Sequence, residues 1–170
     1  MVNATLRGPT PAGPLSWNAY WLRGIGLQGA RYVTLPLRLM LACTFLVHGL
    51  PKLGASGHAM FADHLAQMGF GASQFWAWLV GIVEVAGGVM LLFGIASGVA
   101  AIVLIVEMIV AMVTVHAKNG FDFTKNGVEI PLLIVAALLA VLIAGAGAFS
   151  VDEGWSDHDA RSVRTTPPGP

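Results

Sequence analysis

Charge is scarce in this chain: 11% of its 170 residues are Asp, Glu, Lys or Arg, while 56% are hydrophobic. Soluble domains carry roughly 25% charged residues. That shortage, with a mean hydropathy of +0.74, argues against an ordinary soluble domain. No excess of one sign compensates, because the formal net charge is zero. With neither a basic stripe nor an RNA-binding signature, nothing points to nucleic acid. Cysteine is nearly missing. Cys43 stands alone, so it cannot form an intrachain disulfide, and a thiol among apolar residues is ordinarily inert. The Glu-x-x-His pairs of di-iron bundles are lacking, as is any haem signature, so neither metal nor haem is expected. Residues 1–32 lack the short apolar core and small-residue cleavage site of a signal peptide. The first apolar run is therefore expected to act as its own insertion signal. No internal repeat is visible, which weighs against a transporter built from inverted halves.

Long apolar runs are what the chain has instead. They cover 33–53, 75–93, 99–116 and 128–149. About 20 mostly apolar residues cross the hydrocarbon core. The sequence therefore predicts an all-α integral membrane protein: an antiparallel four-helix bundle over 33–150, with helices at about 33–53, 73–94, 97–117 and 127–149. Residues 1–32 read as a leader. Its part 15–32 mixes Trp17, Tyr20 and Trp21 with Arg23 and Arg31, which suits the membrane–water boundary or a grip on partner subunits. Residues 54–71 read as a polar, glycine-bearing loop with His58 and His64 solvated, and 151–170 as a disordered tail. Ser73 is expected to cap the second helix, and Asn126 with Glu129 to form a capping box for the fourth. Arg23, Arg31, Arg38, Arg161 and Arg164 lie on one side against Lys52, Lys118 and Lys125 on the other. The positive-inside rule then puts both termini in the cytoplasm.

Each run carries ionisable residues, and these are costly in hydrocarbon unless paired or hydrated. At about 1.5 Å per residue, Glu84 and Glu107 both fall roughly 16 Å into the membrane from the outer side. His48, Lys52, His116 and Glu129 form a shallower layer. Thr44, His48 and Lys52, spaced by four, share one helix face. Glu84 shares its face with Gly81 and Gly88, and such small residues admit close neighbours. Glu107 and His116 are nine positions apart, which sets them on opposite sides of an ideal helix. Structural alternatives stand beside each functional reading. His48 can cap the first helix beside Pro51, Lys52 can snorkel to the headgroups, and Glu129 can serve the capping box.

The run Arg38-Leu-Met-Leu-Ala-Cys-Thr-Phe-Leu-Val-His48-Gly49-Leu-Pro-Lys52 resembles the first helix of the DoxX family, an arginine and an apolar run ending in His-Gly-x-x-Lys. The resemblance continues through Glu84-Val-Ala-Gly-Gly88 with Leu92-Phe-Gly94, then Met108-Ile-Val-Ala111 with His116, then Gly127-Val-Glu129. It closes in the Gly-x-Gly-x-x-Ser-x-Asp ending at Asp152. It implies a four-helix protein of a prokaryotic cytoplasmic membrane, linked to quinone-dependent redox processes such as those of thiosulfate:quinone oxidoreductase. The family positions are Arg38, His48, Lys52, Glu84, Glu107, His116, Glu129 and Asp152. The expected function is a membrane subunit of a quinone-linked oxidoreductase. Glu84, His48 and Lys52 would handle protons or touch the ligand, and His48, Lys52, Glu107 and His116 would line the quinone site. The alternatives are a structural assembly subunit and, third, a small-molecule transporter or channel.

Overall fold

A computed structural model describes residues 30–154, and these are helical with short connections. Helix α1 spans Ala30–Leu53, α2 Ala55–Gln67, α3 Ser73–Phe93, α4 Ser97–Ala111 and α5 Glu129–Ala144. Past Ala111, α4 runs on through a π-helical turn, Met112–His116, and a 3-10 turn, Ala117–Asn119. Three segments are long and apolar enough to cross a membrane: Tyr32–Leu53, Ser73–Phe93 and Ser97–Asn119. The fourth apolar helix, Glu129–Ala144, has 16 residues, fewer than the expected 127–149. The segment 15–29 and most of the tail, 155–170, lie outside the described residues. Residues 151–154 begin a helical turn.

Lipid offers no hydrophobic drive between spans, so close packing of small residues must supply it. Ala42, Ala77, Ala100 and Ala101 are fully buried or nearly so. The α1–α3 contact shows the rule in detail. A Cβ on Gly88 would stand 2.9 Å from Leu46 Cγ and 3.3 Å from the Ala42 carbonyl oxygen. One on Gly49 would stand 2.8 Å from Glu84 Cβ, and one on Gly81 3.1 Å from Lys52 Cβ. These contacts fix an antiparallel register with Glu84 level with Gly49 and Gly81 level with Lys52. Leu41, Phe45, Leu91, Leu104, Leu138 and Val141 fill the rest of the core.

Three local expectations fail. Residues 54–71 are not a loop, because most of them form α2. Its glycines mislead: Gly57 passes so close to the Pro51 carbonyl that no side chain fits. Ala62 and Leu65 bury against Ala77, so α2 lies across one end of the bundle. His58 is buried rather than solvated, with Nδ1 3.3 Å from the Lys52 carbonyl, Nε2 2.8 Å from Gln74 Oε1 and its ring 4.4 Å from that of Trp78. The capping box also fails. Asn126 has φ 60° and closes the 3-10 turn Phe123–Lys125, and Val128 precedes α5. Ser73 is the first residue of α3, following Ala72.

The opposite end is tied by a polar knot. Arg38, 1% exposed, donates from Nη1 to the Ala146 carbonyl at 2.5 Å and from Nη2 to that of Phe149 at 3.2 Å. Thr34 donates to the Ala146 carbonyl as well. The carboxylate of Asp152 accepts from Ala96 N–H at 2.7 Å and Ser97 N–H at 2.9 Å, capping the start of α4 with negative charge where the helix dipole favours it. The Asp152 N–H in turn donates to the Gly94 carbonyl. Gly94 has φ 66°, and a Cβ there would lie 2.7 Å from Arg38 Nη1. Only glycine fits.

Candidate functional site

Side chains on a helix lean toward its N-terminus. On antiparallel α1 and α3, Lys52 therefore leans inward toward the level of Gly49, and Glu84 leans outward toward that of Gly81. The register makes them meet: Lys52 Nζ lies 2.5 Å from Glu84 Oε2. The ammonium also sits 4.7 Å from the centroid of the Phe61 ring on α2, a cation–π distance. The Lys52 ammonium is thus held by Glu84 and Phe61. Glu84 is 4% exposed, so the pair lies in a setting where an isolated charge is expensive. The two layers of the sequence reading are joined here by one long side chain.

The pair forms part of the wall of a cavity of about 740 Å³, within the range of small-molecule sites. Helix α1 contributes Thr44, His48 and Lys52, as their common face requires, and α3 contributes Val83 and Glu84. Glu107 and His116 enter from the α4 segment, Phe61 and His64 from α2, and Ile130 and Ile134 from α5. The structure thus brings His48, Lys52, Glu84, Glu107 and His116 to one cavity, with His48 also exposed. Glu129 is not among its lining residues. Its Oε2 accepts from Phe123 N–H at 3.1 Å, which holds the loop before α5.

That Glu107 and His116 both line this cavity departs from the ideal-helix expectation, and the π turn accounts for it. Nine α-helical steps separate two residues by about 180°, but a π turn absorbs one residue, leaving about eight steps and roughly 80°. His116 is then fixed by its Nδ1, 2.9 Å from the Asn126 carbonyl. A carbonyl only accepts, so Nδ1 carries the proton of this bond. Asn119 Nδ2 donates to the same carbonyl at 3.1 Å.

Glu107 is placed differently from Glu84. Its Oε2 is buried and has no hydrogen-bond partner. Around it the α4 lining is Val103, Val106, Met108, Val110 and Ala111. An unpartnered buried carboxyl oxygen costs free energy unless something else occupies the site. Phe61, which covers Lys52, was unremarked in the sequence, and Asn126, expected there as a cap, instead aims His116 through its backbone carbonyl. Nothing short of the tertiary contact marks either role.

Comparison with known proteins agrees with this architecture. The DoxX family model matches residues 33–117. A Haemophilus influenzae protein of uncharacterised function is 31% identical over 128 residues, covering 73% of this chain and 83% of that one. A Bacillus subtilis protein named "Putative oxidoreductase CatD" is 28% identical over 120 residues, 70% of this chain and 84% of its own. An uncharacterised membrane protein of Mycobacterium tuberculosis is 27% identical over 151 residues, 80% and 88% of the two chains. No solved structure matches. Half of this chain fits the family model, and a relative above 30% identity is matched over most of its length, so the chain belongs to the DoxX family.

Proposed function

We propose that this chain is the membrane subunit of a quinone-linked oxidoreductase, and that its cavity receives the quinone-type ring. The observation that carries the reading is the Lys52–Glu84 pair set into the wall of an otherwise largely apolar cavity. A quinone needs an apolar slot for its ring and donors for its carbonyl oxygens. Lys52 has further N–H groups beyond the one given to Glu84, and His48 lines the same wall. The carboxylates of the cavity supply acid–base groups for the protons that accompany reduction. The name of the Bacillus subtilis relative supports the redox setting. In this reading the chain resides in a prokaryotic cytoplasmic membrane with both termini inside and the α2 end facing outward.

The test is quinone-linked electron transfer in native membranes. Lys52→Met and Glu84→Gln are expected to abolish it while the protein still inserts. Normal turnover in both variants overturns the reading. Normal insertion with lost co-purifying subunits in a 1–32 deletion, together with unaffected turnover in the site variants, points instead to an assembly role.

A further inference from the structure

We propose that the ligand enters the cavity sideways from the hydrocarbon, between α3 and α4, and that the seam there holds an apolar chain attached to its ring. This rests on the quinone-type reading above and names the class of ligand: a ring with a lipid-soluble tail, taken from the bilayer rather than from water. The two helices are pressed together about two turns from the connection that joins them, where a Cβ on Gly87 would stand 2.8 Å from Leu104 Cδ1. Val83, Val80 and Trp76 precede Gly87 by four, seven and eleven positions and so continue its face of α3. All three line the cavity with Leu79, and Trp76 and Leu79 are exposed. On α4, Val103, Val106 and Val110 line the cavity too and are exposed. Val103 and Val110 lie roughly 120–140° round the helix from Gly98, where a Cβ would stand 3.7 Å from Leu142 of α5. They therefore look toward α3. The cavity is open along this seam.

The seam lies within two segments apolar and long enough to cross a membrane, Ser73–Phe93 and Ser97–Asn119, so hydrocarbon is the solvent on its outer side. Its walls, from Trp76 to Val83 and from Val103 to Val110, are apolar apart from Glu107. The Lys52–Glu84 pair lies on the α1 side of α3, because Gly81, one turn from Glu84, abuts Lys52. A ring seated beside that pair can send a substituent out along the seam past valines and Leu79. Other exposed lining residues, among them His48, His64, Phe123 and Asn126, gather toward the α2 end, where a water-soluble ligand would enter. Lipid tails are as apolar as valine, so a chain moving from bilayer to seam gains packing but little hydrophobic free energy. The chain adds little affinity; the seam spares the ligand a passage through water. A test must locate the chain rather than weigh it.

Photolabelling of the full chain in lipid nanodiscs does so, with a benzoquinone whose decyl chain ends in a diazirine, and peptide mass spectrometry of the adducts. Adducts that excess tetramethylbenzoquinone suppresses report chains attached to a seated ring. These are expected on the seam, at Leu79, Val83, Val103 and Val106. Val106→Trp, at an exposed position where the fold has little to lose, should cut them about tenfold by filling the seam. Ile109→Trp, exposed on the other side of α4 and no part of the cavity wall, should leave them unchanged. Suppressible adducts centred on His48 and His64, or anywhere else off the seam, overturn the proposal and leave the quinone-type reading standing. An undiminished yield in Val106→Trp, or an equal loss in both variants, does the same. Adducts that the competitor never suppresses mark chains merely dissolved in lipid, and overturn that reading and this inference with it.

Discussion

Deleting Val113 should leave His116 where it is, and inserting one residue beside it should not. Val113 lies in the π turn Met112–His116 and is 69% exposed, so its side chain contributes little packing. The π turn holds one residue more than an α-helix needs over the same rise. Removing that residue leaves eight α-helical steps from Glu107 to His116, the same separation of roughly 80°. Adding an alanine after Val113 while the π turn persists gives nine effective steps, about 180°, and turns residue 116 toward lipid. The assay is alkylation of a thiol at 116, using His116→Cys in a Cys43→Ser background, in membrane vesicles. The parent and the deletion should react at similar rates. The insertion should react roughly tenfold more slowly, since a thiol in hydrocarbon forms little thiolate. An unchanged rate in the insertion, or a collapse in the deletion, refutes the claim that the π turn aims His116 into the cavity.

The Lys52–Glu84 pair should show the asymmetry of buried ion pairs. Lys52→Met alone is expected to destabilise by about 3–5 kcal/mol, while Lys52→Met with Glu84→Leu should come out near neutral; thermal unfolding of the four corners of the cycle measures it. Arg38→Lys cannot reach both the Ala146 and Phe149 carbonyls as the guanidinium does, and should cost on the order of 2–3 kcal/mol without altering ligand binding at the far end. In the loop before α5, the hydroxyl and N–H of Thr124 both donate to Asp122 and hold its carboxyl below the usual carboxylate range. A lowered folded pKa means that the turn is supported at pH above the unfolded value of about 4 and loses that support as the pH falls through the folded one. An NMR titration of Asp122 with a midpoint at or above 4 contradicts this.

The sequence disclosed the spans because membrane thickness is a length criterion, and 33–53, 73–94 and 97–117 meet it without any tertiary knowledge. It also singled out side chains for attention, since a carboxylate such as Glu84 within an apolar run has few inexpensive settings. What it hid depends on geometry beyond the individual helix. The π turn carries no sequence mark, so Glu107 and His116 were set on opposite faces. Gly54, Gly57, Gly69 and Gly71 read as loop residues, although Gly57 is glycine because α2 starts against the Pro51 carbonyl. Asn126 and Glu129 have capping-box spacing, yet the αL backbone at Asn126 spends them on the loop instead. The work of Arg38 is invisible because its partners are backbone carbonyls more than a hundred residues away.

The central claim is that the cavity beside Lys52 and Glu84 holds a quinone-type ring. The most direct measurement is gentle-detergent purification from native membranes, followed by solvent extraction and mass spectrometry of bound small molecules and co-purifying chains. The account predicts roughly one quinone per chain, present with oxidoreductase subunits and lost in Lys52→Met. A preparation that keeps those subunits but contains no quinone contradicts it.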